Sequence, residues 1–268
     1  MLGAVIGDVV GSAYEFEACK TKDFSLITDR SIYTDDSILT VAVADVMLNG
    51  GAYTSAFKRY YNRYPNPCGG YGARFQAWAS SPDPQPYGSW GNGAAMRVSP
   101  VAYGYDSLCE VLQAAEQTAA VTHNHPEGIR GARATAAAIF LARQGYEKAV
   151  IRDRITADFG YDLSQSLDQI RADYGFDESC QGTVPPAITA FLESTDFVDA
   201  LRNAVSLGGD ADTLTCITGS IAEAFYGRAP DFLLEAVWQR LPQDLRGIIL
   251  QFDQRYALPL SPPVESSS

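Results

Sequence analysis

The chain has 268 residues, 46% of them hydrophobic and 19% charged, and carries a formal net charge of −12. That is too much apolar material and too little charge for a disordered chain, so a globular protein with one large domain or two small ones is expected. The acidic balance excludes duplex nucleic acid as the main partner, because affinity for phosphate backbones comes from clustered Lys and Arg.

The N-terminal stretch MLGAVIGDVVGSAYEFE is apolar, but it lacks a basic leader region and meets Asp8 early. It therefore reads as a helix over 2–14 and not as a signal peptide or membrane span. Gly3, Gly7 and Gly11 recur every four residues, a smooth stripe suited to close packing against another helix. Asp8 and Glu15 stand two turns apart on nearly one face. A solvated polar face is the plainer account of that pair, yet the small apolar residues around it favour Glu15, at least, pointing into a site.

Next comes YTDDSILTVAVADVML, with Thr34, Asp35, Asp36 and Ser37 directly before an apolar helix expected at 36–49. A helix at 53–62 follows. Residues 63–93 are rich in Pro and Gly and read as a long surface excursion with room for one short helix, the kind of loop that is functional or disordered. Further helices are expected at 107–120, started by Asp106 and Ser107, and at 128–144 behind Pro126. Others are expected at 164–174, from the Pro185-Pro186 pair into AITAFLE, and at 196–207, 212–226, 231–241 and 243–256. Gly50-Gly51, Gly145 and Gly227 suit left-handed C-terminal caps. The Pro- and Ser-rich end is expected to fray, giving one domain over 1–258 and a flexible tail over 259–268. Five scattered cysteines with no C-x-x-C pair suggest reduced core thiols, with neither a disulfide framework nor a zinc knuckle.

The acid pair at 35 and 36 has a counterpart. In SLGGDADTLTCITGSIAEAFYG, Asp210, Asp212 and Thr213 again precede a helix of small and apolar residues. Capping explains one oxygen at each helix start, but not a second acid held against the first. Two such clusters facing each other present four carboxylates and two threonine hydroxyls, all hard oxygen ligands that Mg²⁺, Mn²⁺ or Ca²⁺ would neutralise. A two-metal site with ions about 4 Å apart is the reading they support. Two histidines and no thiolate pairs argue against zinc.

YGSWGNGAAMRVSP sets Gly88, Gly91 and Gly93 with Ser89 and Asn92 before a short helix, a plausible phosphate cradle that an ordinary loop would also explain. Trp90 within it can stack on a base or anchor the loop. His123 and His125 form an H-x-H pair that more often packs and hydrogen-bonds than binds metal.

Taken in order, GAVIGDVVGSAYE, YTDDS, GNGAAMR, THNHPEGIRGA and GGDADTLTCITGSIAEAFYG resemble the ADP-ribosylglycohydrolase family, over residues 3 to 227. The resemblance implies an all-α fold, a single compact domain of orthogonally packed helices around a central dinuclear metal cleft holding two Mg²⁺ or Mn²⁺. It implies metal ligation by Thr34, Asp35, Asp36, Asp210, Asp212 and Thr213, and catalytic roles for Glu15 and Asp36. It further implies substrate contacts from Glu15, Ser89, Trp90, Gly91, Asn92, Gly93, Met96 and His125. Ser37 replaces the usual Thr and keeps its hydroxyl, and Ala211 stands where Thr is common. The implied activity is removal of ADP-ribose from an ADP-ribosylated protein or a small molecule containing ADP-ribose; from its own N-terminus and composition the chain is expected to be cytoplasmic with no membrane partner, and a monomer. Two other readings compete with it. One is a non-catalytic ADP-ribose-binding or crystallin-like protein, and the other an all-α diphosphate enzyme, which the absence of a D-D-x-x-D spacing opposes.

Overall fold

Glycine at every fourth position lets two helices approach until main chain meets main chain, and in the computed structural model the partner comes from the far end of the chain. Helix α1 (Leu2–Gly11) lies along α12 (Ala211–Tyr226), with Gly3, Gly7 and Gly11 seated on the backbone of Gly219, Thr215 and Ala211. A Cβ on any of the three would overlap a carbonyl oxygen of α12. Replacing Gly7 by Ala is expected to cost at least about 3 kcal/mol, because main chain cannot swing aside. An unchanged denaturation midpoint for that variant would contradict the seam.

The structure describes residues 1–256, which form fourteen α-helices and two short 3₁₀ turns, with no β-strand among the described residues. This is the all-α class that the succession of expected helices and the family resemblance imply. The central pair is almost entirely buried, Gly3 to Gly11 in α1 and Ala211 to Ala222 in α12. Against one side packs α2 (Asp35–Asn49), buried without a break from Asp36 to Ala44. A helix enclosed on every face needs apolar residues all round, which is why α2 shows no single stripe. Outside α2 lie α3 (Tyr53–Arg63) and α14 (Gln243–Tyr256), while α7 (Pro126–Arg143), α10 (Cys180–Leu192) and α11 (Phe197–Val205) enclose α12 elsewhere. Ser107 caps α6 (Leu108–Ala120), as expected, and Gly50, Gly145 and Gly227 take positive φ just past α2, α7 and α12.

Several expectations need correcting. Helix α10 begins at Cys180, so Pro185 and Pro186 lie inside it and do not start it. Proline offers no N–H to the carbonyl four residues back, and the Gly182 carbonyl that Pro186 leaves free accepts the Tyr174 hydroxyl at 2.9 Å. An unexpected helix, α8 (Lys148–Phe159), buries only Ile151 and Ile155, too thin a stripe to read. The excursion at 63–93 does carry one short helix, α4 (Ala73–Ser80), but it is not merely superficial. Tyr71, Phe75 and Trp78 are buried, and rings of Tyr61, Tyr71, Phe75 and Trp78 succeed one another at 5.1 to 5.5 Å. The segment is a strap anchored in the core. Of the five thiols only Cys180 and Cys216 are buried, and Cys68 and Cys109 are exposed. The expected frayed tail lies outside the described residues.

Residues 15–34 connect α1 to α2 without regular structure, and cationic side chains from elsewhere hold their carbonyls. Arg202 donates to Lys22 O at 2.6 Å and Phe24 O at 2.9 Å, and Arg240 donates to Ser31 O at 2.9 Å. Within the loop, Lys20 donates to the carbonyls of Arg171, Tyr174 and Leu207. Glu15 and the start of α2 are thereby fixed in place. No helix among the described residues is long and apolar enough to cross a membrane.

Candidate active-site cleft

Asp8 explains how two acids can stand at one helix start. It is fully buried in α1, and its carboxylate accepts from Thr34 N–H at 2.9 Å, Thr34 Oγ1 at 2.7 Å, Ser37 N–H at 3.1 Å and the Ser37 hydroxyl. Thr34 is the N-cap of α2, its hydroxyl accepting Asp36 N–H at 3.2 Å. With Asp8 and Thr34 satisfying the free amides of α2, the Asp35 and Asp36 side chains are not needed for capping and line the cavity.

The second cluster faces the first. At the start of α12, Asp210 accepts from Asn92 Nδ2 at 2.6 Å, and Asp212 accepts from Thr213 N–H at 2.8 Å. Thr213 Oγ1 donates to Asp36 Oδ1 at 3.4 Å, joining the two helix starts directly. Carboxylate oxygens of Glu15, Asp210 and Asp212 come within 4.8 Å of one another. Glu15, Asp35, Asp36, Asp210, Asp212 and Thr213 line one cleft of about 470 Å³. Thr34 does not line it, because its hydroxyl is engaged with Asp8 and the α2 backbone.

So many carboxylates in one enclosed place resist ionisation. Burial, and then the Asp212 charge, push Asp8 up to about 7 and Glu15 up to about 8. The same two causes in the same order hold Asp35, Asp36 and Asp210 well above the usual carboxylate range. Asp36 Oδ2 and Glu15 Oε2 are buried without a hydrogen-bond partner among the described residues. Unpartnered hard oxygens inside uncompensated negative charge fit a divalent cation such as Mg²⁺ or Mn²⁺, and no thiolate or imidazole joins them to favour a softer metal.

The opposite wall carries the glycine loop. Ser89, Gly91, Asn92, Gly93 and Met96 line the cleft, whereas Trp90 is 48% exposed and lies outside it. The loop is clamped from two sides: Gly88 N–H donates to Asn124 Oδ1 at 2.7 Å, and Cys180 N–H to Trp90 O at 2.9 Å. The amides of Gly91 and Asn92 are already used, by Ser89 Oγ at 3.1 Å and Glu178 O at 2.7 Å, so neither is free to cradle a phosphate. Asn92 turns its side chain to Asp210 and Thr183, which makes it a support of the acid cluster.

The histidines separate. His123 is buried and lines the cleft, while His125 caps α7 by accepting Glu127 N–H at 3.1 Å and sets its ring 5.4 Å from Trp90. The wall position expected of His125 thus belongs to His123. Three further parts of the wall escaped sequence reading: Arg97, the exposed Phe176, and the strap from Gly69 to Phe75. The strap passes beside Glu15, where a Cβ on Gly69 would lie 3.0 Å from Glu15 Oε2. The only sequence signal was the Gly69-Gly70 pair beside Tyr71 and Phe75; in the structure both glycines take positive φ.

Comparison with known proteins identifies the family and the fold. The ADP-ribosylglycohydrolase family pattern matches residues 1–259. The ADP-ribosylarginine hydrolase Tri1 of Pseudomonas putida is 28% identical over 96% of this chain and 80% of its own. The ADP-ribosylhydrolase ARH3 of Homo sapiens is 25% identical over 85% of this chain and 84% of its own. A solved structure described as an ADP-ribosylglycohydrolase-related protein complex superposes with a TM-score of 0.73 at 25% identity, covering 96% of each chain. Because the family pattern spans every helix that builds the cleft, the protein belongs to the ADP-ribosylglycohydrolase family.

Proposed function

We propose that the protein is a metal-dependent ADP-ribosyl hydrolase, which releases ADP-ribose from a modified protein side chain or small molecule by cleaving the bond at the ribose anomeric carbon. The observation that carries this reading is the convergence of Glu15, Asp36, Asp210 and Asp212 on one cleft, with Asp36 Oδ2 and Glu15 Oε2 unpartnered. Family membership supplies the reaction class.

Cleavage at an anomeric carbon passes through an oxocarbenium-like transition state that needs a positioned water and help for the leaving group. Asp35, Asp36, Asp210, Asp212 and Thr213 would hold two Mg²⁺ or Mn²⁺, with Thr34 fixing the α2 start, and the ions would supply Lewis-acid polarisation when bound. Glu15 reaches the same space from the 3₁₀ turn that follows α1 and holds Oε2 free to take or return a proton during water attack, or to oppose the developing positive charge. Across the cleft, Ser89, Gly91, Gly93 and Met96 form the wall against which the nucleotide portion would lie, so that binding energy remote from the ribose orients the reacting carbon.

Arginine-, serine- and nucleotide-linked ADP-ribose, offered with Mg²⁺, with Mn²⁺ and with a chelator, test the reading. Release of ADP-ribose from at least one substrate, lost with the chelator, is expected, and no release from any would overturn it. Glu15→Gln is expected to lower kcat about 10²-fold with KM little changed, as loss of a proton-transfer group does. A kcat equal to that of the unchanged protein would remove Glu15 from the chemistry.

A further inference from the structure

Among the described residues Arg97 is the largest fully buried side chain, and it has no carboxylate within ion-pair distance. Its guanidinium lies 4.4 Å over the Phe57 ring, and Nε and Nη1 have no partner among the described residues. The remaining nitrogen, Nη2, donates to Thr118 O at 3.0 Å and to Thr122 Oγ1 at 2.6 Å. A guanidinium can only donate, so Thr122 must accept from it. Thr122 Oγ1 also lies 2.7 Å from Nδ1 of His123, and no other acceptor for the buried Thr122 proton lies within reach among the described residues. A hydroxyl carries one proton, and its only available use is donation to His123 Nδ1. That leaves Nδ1 as an acceptor and puts the ring proton on Nε2.

Where Nε2 points gives the arrangement a consequence. His123 lines the cleft, and its Nε2 edge faces the glycine loop, where a Cβ built on Gly93 or Gly91 would come within 3.1 or 3.5 Å of it. We propose that Arg97 and Thr122 are positioning residues that fix His123 as the neutral Nε2–H tautomer, so that the cleft wall presents one oriented hydrogen-bond donor. The groups facing the ring agree with a neutral state: Arg97 and Arg74 are cations, Tyr87 stands with its ring 6.0 Å away, and no carboxylate among the described residues favours an imidazolium. Burial, and then the Arg97 and Arg74 charges, hold His123 well below the usual histidine range. The donor is matched to an acceptor oxygen of the nucleotide portion of the substrate, a use that rests on the function proposed above, whereas the tautomer does not.

The test is nitrogen NMR of the full chain labelled at histidine. There are only two histidines, so His125→Gln assigns the pair. The ligand-free protein is expected to show His123 as the Nε2-protonated neutral ring, unchanged from about pH 5.5 to 8.5. Thr122→Val is expected to lose that pattern and to weaken ADP-ribose binding about tenfold by calorimetry, while Thr122→Ser restores both. An Nδ1-protonated or cationic ring in the unchanged protein, or an unaltered spectrum in Thr122→Val, would overturn the proposal. If Thr122→Val does not fold, the spectra of the unchanged and Thr122→Ser proteins decide. Failure of the unchanged protein to bind ADP-ribose would count against the proposed function and leave the tautomer assignment standing.

Discussion

Replacing Asp36 by Asn is expected to lower kcat about 10³-fold while leaving the fold intact, whereas Asp8→Asn is expected to cost only about 10- to 100-fold. The difference follows from where the two carboxylates face. Asp36 lines the cleft, leaves Oδ2 bare and meets Thr213 from the opposite helix, so its charge acts where ribose and cations would sit. Asp8 never reaches the cleft. It accepts four hydrogen bonds from Thr34 and Ser37 and holds the start of α2, the role of an outer partner that orients ligands. Steady-state rates on a linked ADP-ribose substrate, with circular dichroism to confirm folding, separate the cases. If Asp8→Asn were the more damaging of two folded variants, the division between ligand and support would be wrong.

That division also marks the limit of what the sequence makes legible. The two Thr/Asp clusters stand out because one capping oxygen cannot account for a second adjacent acid, and the structure brings both to one cleft. The four-residue glycine stripe likewise announces a close helix partner, though not that the partner is α12. Asp8 shares a helical face with Glu15 on ideal spacing, but α1 ends at Gly11 and a 3₁₀ turn follows, so Glu15 leaves that face for the cleft while Asp8 turns to α2. The H-x-H pair offers two similar imidazoles, and only the α7 start, which takes His125 as its cap, decides that His123 is the one in the wall. Residues 63–93 read as excursion because their Pro and Gly mask the ring ladder from Tyr61 to Trp78, whose contacts appear only once α3 and α4 fold together.

Removing divalent cations is expected to make stability fall as pH rises, and adding Mn²⁺ is expected to reverse the fall. The sign follows from the direction of the carboxylate shifts. Asp8 at about 7 and Glu15 at about 8, with Asp35, Asp36 and Asp210 also raised, bind protons more tightly folded than unfolded. Their contribution is fully present below the unfolded value near pH 4 and is lost as pH climbs through the folded values, between about 4 and 8. In the chelated protein, Tm should therefore drop by several degrees between pH 5.5 and pH 8, with the acids forced to ionise beside one another. A cation bound to the folded state alone stabilises by about 2.7 kcal/mol at a hundred times its dissociation constant, or roughly 5–10 °C for a chain of this size. That gain should be larger at pH 8 than at pH 5.5, because protons compete with the metal for the same oxygens. Asp36→Asn removes one of the crowded charges and should flatten both the pH dependence and the Mn²⁺ response. A melting temperature indifferent to Mn²⁺ at pH 8 would mean that the acids in the cleft hold no cation, whatever their arrangement.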